Sequence, residues 1–291
     1  MFNDMLRVII ILYFLFWASV FAQDIQIKMV TKLTADIPVI GKVNSIRTTY
    51  LAANKKNTIE TSDIETKFFG FIAGLFSDIK DTTGSLVDNK GQKWDYNIND
   101  KEYWKFVDES EEDSVWNEES KKVEYNFSFG SDDESEEDSE ITSVSRVSHE
   151  QLENINGFKT KKWTTTIEFS EYIVSIDEWS VKELALLRHA DSLNRMVLIL
   201  QGIPDTLIAI NRYGSGLSNN EMILGATRLD SIYEANDIPP ILGEIIKGDV
   251  KKIDKGEDEY DMSFGIEMVE LYAEDYNPEK FIIPKDFKLK D

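Results

Sequence analysis

Only two side chains in the sequence, His149 and His189, have an ordinary pKa suited to acid–base work at neutral pH. A nucleophilic hydrolase must hold such a base against an activated serine or cysteine. The chain has no cysteine and no G-x-S-x-G elbow; His149 borders an acidic run, and His189 falls inside an expected helix. For metals, neither of two acidic septets nor Asp254 to Asp261 has the EF-hand spacing with its central glycine. Zinc would need a cysteine set or H-E-x-x-H, and the chain has neither. A glycosidase pair is defined by carboxylate separation in space, so spacing singles out none of the 54 acids. The chain therefore reads as a non-enzyme, with no catalytic residues, no metal and no cofactor.

Binding chemistry is better represented. Trp94, Tyr96, Tyr103, Trp104, Phe106, Trp163 and Trp179 fall on expected strands, where rings either fill a core or offer flat platforms to a sugar. By the two-residue period, Trp94 and Tyr96 share one face of a hairpin, with Tyr103 across the turn. The run Phe68-Phe69-Gly70-Phe71-Ile72-Ala73-Gly74-Leu75-Phe76 is too short to span a bilayer and reads as a buried helix or plug.

Compartment and charge narrow the setting. Arg7, the apolar stretch Val8 to Trp17 and small residues at Val20 and Ala22 have the form of a secretory signal peptide, Met1 to Ala22, cut before Gln23. No later run suggests a transmembrane anchor, so the expected location is periplasmic or secreted. With no cysteine, the fold must be held by packing and hydrogen bonds. A formal charge of -22 disfavours nucleic acid and anionic lipid surfaces. Much of that charge sits between Asp108 and Glu140, where Asp108-Glu109-Ser110-Glu111-Glu112-Asp113-Ser114 recurs as Asp133-Glu134-Ser135-Glu136-Glu137-Asp138-Ser139. Like-charged blocks repel themselves and bury little, so 108–140 is expected to be a disordered insertion in a single domain, 23–291.

Those candidate groups need elements to position them. Alternation and β-branched residues predict strands at Ile25 to Met29, Val43 to Tyr50, Thr58 to Ser62, Gly84 to Asp88, Gln92 to Asn97 and Glu102 to Phe106. Asn89-Lys90-Gly91 and Asn99-Asp100-Lys101 supply turn chemistry between the last three. Further strands are expected at Ile141 to Val147, Phe158 to Phe169, Tyr172 to Trp179 and Ser263 to Tyr272. Ser180-Val181-Lys182-Glu183 reads as a capping box for a helix from Val181 to Leu200, with Leu186, Ala190, Leu193, Val197 and Leu200 on one face. A second box at Ser218 to Glu221 precedes Met222, Ala226, Leu229 and Tyr233, and Pro239-Pro240 reads as the start of a short helix to Ile246. The apolar tail Phe281 to Phe287 should dock on the body.

Four segments together carry a resemblance: Trp94 to Tyr103, Asn156-Gly157-Phe158-Lys159-Thr160, Glu178-Trp179-Ser180-Val181, and Phe281-Ile282-Ile283-Pro284-Lys285-Asp286-Phe287-Lys288. In pattern they resemble an exported bacterial family of unknown function related to the LolA/LppX-like lipoprotein carriers. The acidic tract, the helical stretch 180–247 and Asp286, where a turn glycine would be usual, depart from that pattern. The resemblance implies an α+β fold: a curved antiparallel sheet, or half-barrel, packed on helices around an apolar cavity. In the carriers that cavity holds acyl chains. The expected function is binding of a lipid or other hydrophobic ligand in an apolar groove lined by Phe68, Phe69, Phe71, Ile72, Leu75, Trp94, Trp163 and Trp179. The alternative is a cell-envelope structural or interaction module that binds a protein or polysaccharide.

Overall fold

Antiparallel pairing between strands close in sequence builds most of this protein, as the alternating runs and turn residues require. The computed structural model describes residues 25–37, 41–65, 81–106, 140–205, 226–256 and 262–290. Among the described residues, six strands precede the acidic tract: β1 (Ile25–Ile37), β2 (Gly41–Ala52), β3 (Lys55–Glu65), β4 (Asp81–Val87), β5 (Lys93–Asn97) and β6 (Glu102–Lys105). After it come β7 (Ile141–Ile155), β8 (Phe158–Phe169), β9 (Tyr172–Val181), helix α1 (Ala185–Leu200) and helix α2 (Ala226–Ala235). The chain ends with β10 (Glu244–Asp254), β11 (Met262–Asp275), a 3-10 turn (Pro278–Phe281) and β12 (Lys288–Leu289).

One twelve-stranded sheet runs in the order β12-β6-β5-β4-β3-β2-β1-β11-β10-β9-β8-β7. Every pairing is antiparallel except the short one between β12 and β6. Pairing of β1 with β11 joins the two halves, and no pairing between β12 and β7 closes the sheet among the described residues. Among the described residues the result is a large open antiparallel sheet with two α-helices.

Turn chemistry sets the local registers. Asn156 (φ 49°) and Gly157 (φ 91°) form the two-residue turn between β7 and β8, where both positions need positive φ and Asn-Gly supplies it most easily. Between β4 and β5 the Asp88 carboxylate accepts the N–H groups of Lys90 and Gln92 at 2.8 and 3.0 Å. Gly91 follows at φ 79°, and a Cβ there would collide with the carbonyl of Leu200 at the end of α1.

Both helices lie on one face of the sheet. Leu193 and Ala190 of α1 pack on Ile27 and Leu51, and Leu187 packs on Ile246 and Met268. Leu229, Ile232 and Tyr233 of α2 pack on Ile167, Phe169, Val174, Ile176 and Val250. The β7–β8 turn reaches back toward β11. Asn156 Nδ2 donates to Glu267 Oε1 and to the Met268 carbonyl of β11, at 2.7 and 2.9 Å, although β8 stands three places from β11 in the order. The other face of β2–β6 is covered by the segment from Tyr276 to Phe287. Phe281, 4% exposed, stacks on Tyr276 and joins Tyr50, Leu86 and Tyr96. Gly84 lets the Tyr96 ring lie across the strand; the Tyr96 hydroxyl donates to Asn57 Oδ1, and Asn57 Nδ2 donates to the Lys280 carbonyl, each at 2.7 Å.

Three expectations need correction. The box at Ser180 does not cap α1: β9 runs through Val181, and Leu184 stands at the N-cap without a side-chain hydrogen bond. Ser180 and Val181 pair with Ile245 and Glu244 of β10, and the Ser180 hydroxyl accepts the Trp163 indole N–H at 3.0 Å, so this serine is engaged in the sheet. Pro239-Pro240 starts no helix: β10 begins at Glu244, and a bulge between Ile245 and Lys247 leaves consecutive Ile245 and Ile246 both at 0% exposure. Leu200, placed on the inner face of α1 by its spacing, is 37% exposed, while Leu187, which the spacing passes over, is 2% exposed. The signal-peptide residues, Phe68 to Phe76, the second capping box and the acidic tract from 108 to 139 lie outside the described residues.

Candidate functional site

Strand register decides which side chains meet. Trp163 pairs with Glu178 and Lys162 with Trp179, so the two tryptophans of neighbouring strands point to opposite faces. Trp163 lies half-buried on the helix-bearing face, with the Lys161 ammonium 4.5 Å from its ring centre. Trp179 lies on the other face, 6% exposed; its N–H donates to Glu153 Oε2 at 2.8 Å, and its ring is flanked by Lys162 and Lys247 at 4.9 and 4.6 Å. Trp94 shares that second face and is tilted against Tyr103 at 6.0 Å among the residues under the C-terminal segment. β5 and β9 stand seven places apart in the strand order, so the three tryptophans line no common groove. Phe68, Phe69, Phe71, Ile72 and Leu75, the other expected lining residues, lie outside the described residues between β3 and β4.

The helix-bearing face supplies two other constellations. Between the clusters under α1 and α2 runs a strip of half-buried apolar side chains: Leu33 pairs with Ile266, and Ala35 pairs with both Phe264 and Val43. Beside it, Ser45 Oγ donates to Glu60 Oε1 at 2.6 Å, and Arg47 Nη2 meets Glu60 Oε2 at 2.7 Å. Under the C-terminal half of α1, the Lys56 ammonium donates to Asn194 Oδ1 at 2.8 Å. Burial, reinforced by Arg47 and Lys93, lowers Lys56 to about 8. Composition gave no warning of this lysine, because its environment comes from a helix 138 positions away in sequence.

A second polar centre sits beneath α2. Arg146 Nε donates to Thr165 Oγ1 at 2.8 Å, and Nη1 donates to the Pro239 carbonyl at 2.7 Å. Its Nη2 lies 3.7 Å from Glu178 Oε2, with both side chains almost wholly buried, and its guanidinium lies 4.5 Å from the Tyr233 ring centre. Burial, with Glu178 nearby, pushes the Tyr233 hydroxyl well above the usual tyrosine range. These contacts tie α2 to the sheet.

The histidines sit apart. Thr164 gives its only hydroxyl proton to Asp177 Oδ1 at 2.6 Å, so His149 Nε2, 3.0 Å from the same oxygen, is the donor. Lys162 closes that chain on Asp177 at 2.9 Å, and His189 is exposed on α1. No group of three or more His, Cys, Asp or Glu among the described residues is placed to hold a metal ion. No helix among them is long and apolar enough to cross a membrane.

Fold and face together define an open antiparallel sheet with helices on one side and an apolar strip between them. No family model matches the chain. No curated protein matches it either. Among solved structures, a LolA superfamily protein from Nitrosomonas europaea is similar over 90% of this chain and 91% of its own, at 8% identity and a TM-score of 0.24. A score that low does not establish a shared fold.

Proposed function

We propose that this is an exported, non-enzymatic protein of the periplasm or exterior that binds a lipid or other hydrophobic ligand on the helix-bearing face of its sheet. The observation that supports the reading is the strip formed by Leu33, Ala35, Val43, Phe264 and Ile266, which joins the clusters under α1 and α2 without being fully buried by either. An acyl chain laid there gains about 25 cal/mol per Å² of apolar surface removed from water, with no covalent step. Delipidated protein should take up cis-parinaric acid with saturable fluorescence, and Phe264→Ser should weaken that uptake. Absence of saturable uptake by the full chain ends the reading.

A second reading, an envelope module that binds a protein or polysaccharide, is favoured by one observation. Trp104 and Phe106 at the end of the β5–β6 hairpin are 36% and 42% exposed, whereas the expected platform of Trp94 and Tyr96 lies under the C-terminal segment. Retention of the chain on an insoluble glycan, lost in Trp104→Ala, would select it over the first.

A further inference from the structure

Three cations gather where the C-terminal half of α1 meets β2–β5. In the cross-strand row Leu51–Lys56–Val87–Lys93, the two lysines flank Val87, which is 5% exposed. Side chains in one such row share a face, and lysines two strands apart stand about 10 Å from each other at the backbone. Arg47 lies on the same face of β2, close enough to act electrostatically on Lys56. The seam is fixed from above by the close approach of the Leu200 carbonyl to Gly91 and by the Asn194 amide over Lys56. At its outer end the Lys93 ammonium lies 3.8 Å from the centre of the exposed Phe106 ring.

Two of the three cations have acids of their own. Arg47 pairs with Glu60 at 2.7 Å, and Lys93 with Asp95 at 3.8 Å. Lys56 has the neutral Asn194 carbonyl in place of an acid, and no carboxylate among the described residues lies within ion-pair distance of it. A desolvated ammonium beside two like charges is unfavourable by itself and becomes favourable when an anion joins it. A lysine retained for its aliphatic stem alone would carry its head to water or to a carboxylate.

We propose that this seam is a binding site for an anionic group, a carboxylate or phosphate, held by Lys56 with Lys93 and Arg47 beside it. The site stands on these side chains; naming the head group of an amphiphile as its occupant rests on the ligand reading above. The exposed Phe106, Trp104 and Ile199 nearby would meet the apolar part of such a ligand.

The test is site-resolved acylation of the full wild-type chain at pH 8 with a limiting dose of acetic anhydride, read by peptide mass spectrometry, with exposed Lys42 as the internal standard. Only the neutral amine reacts, and an anion in contact raises a lysine pKa by about one unit or more, so bound anion should cut Lys56 labelling at least about fivefold. Laurate, methyl laurate and inorganic phosphate are the three additions. Protection of Lys56 by laurate or phosphate, but not by the ester, with Lys42 unchanged, supports the site. The acid that acts at the lower concentration identifies a lipid head group or a free anion as the source. Equal protection by the ester means shielding without charge and overturns the proposal, as does no protection by either acid. Parinarate uptake without Lys56 protection sinks the anion site and leaves the ligand reading; phosphate protection without lipid uptake does the reverse.

Discussion

Arg146 and Glu178 make the most demanding placement among the described residues, with side chains 1% and 4% exposed and charged atoms 3.7 Å apart. Removing one member of such a pair strands the other charge in a dry interior, whereas removing both costs far less. Arg146→Met should therefore lower unfolding stability by about 3 kcal/mol in urea titrations, with Arg146→Met/Glu178→Met recovering most of it. A single variant as stable as the double would show that the pair is not dry. Asp191 on α1 gives a pH-dependent counterpart. Partial desolvation, helped by the Glu244 charge, raises its carboxyl from 3.8 to about 6, although the residue as a whole is exposed. The folded state then binds the proton more tightly than the unfolded chain, so ionisation penalises folding progressively as pH rises from 3.8 to about 6, and fully above. Asp191→Asn should gain stability over the parent at pH 7, with the advantage fading below pH 4; a gap constant across pH would contradict the raised pKa. Neither Arg146 nor Lys56 stood out in the sequence, because each is defined by partners from other strands and helices.

At the scale of elements, the turns were the most legible parts and offer the sharpest comparison. Gly157 has positive φ with nothing near the position of a Cβ, whereas Gly91 has positive φ and the Leu200 carbonyl in that space. Gly157→Ala should cost about 1–2 kcal/mol from backbone strain alone. Gly91→Ala should cost more and loosen the end of α1, read by hydrogen exchange of the last helical turn. Equal effects would mean that the α1 contact is not maintained in solution. Strands were readable because alternation and turn chemistry are local signals. The start of α1 was not, since Ser180 satisfies both a capping pattern and a β9–β10 ladder, and the ladder adds the Trp163 hydrogen bond. Ile241 to Ile246 read as helical for a similar reason: a short aliphatic run has no period of its own.

For the whole molecule, the tract between Phe106 and Glu140 has a topological role that its composition does not reveal. It joins β6, second in the strand order, to β7, last in that order, ten places away. At about 4.8 Å per strand this is about 48 Å across a flat sheet, so the tract cannot be excised like a hairpin insertion. Joining Val107 directly to Ile141 should abolish the cooperative melt, while a Gly/Ser linker of equal length, which reaches far enough, should retain it. Retention by the direct joint would refute the strand order. The sequence by itself determined the antiparallel character, most strand positions and the docking C-terminal tail, because these follow from periods of two, turn residues and composition. Tertiary structure alone decided that Trp94, Trp163 and Trp179 lie apart and that Lys56 meets Asn194 between Arg47 and Lys93. The reason is physical: one residue of register inverts a side chain's face, and register is fixed by pairing partners far away in the chain.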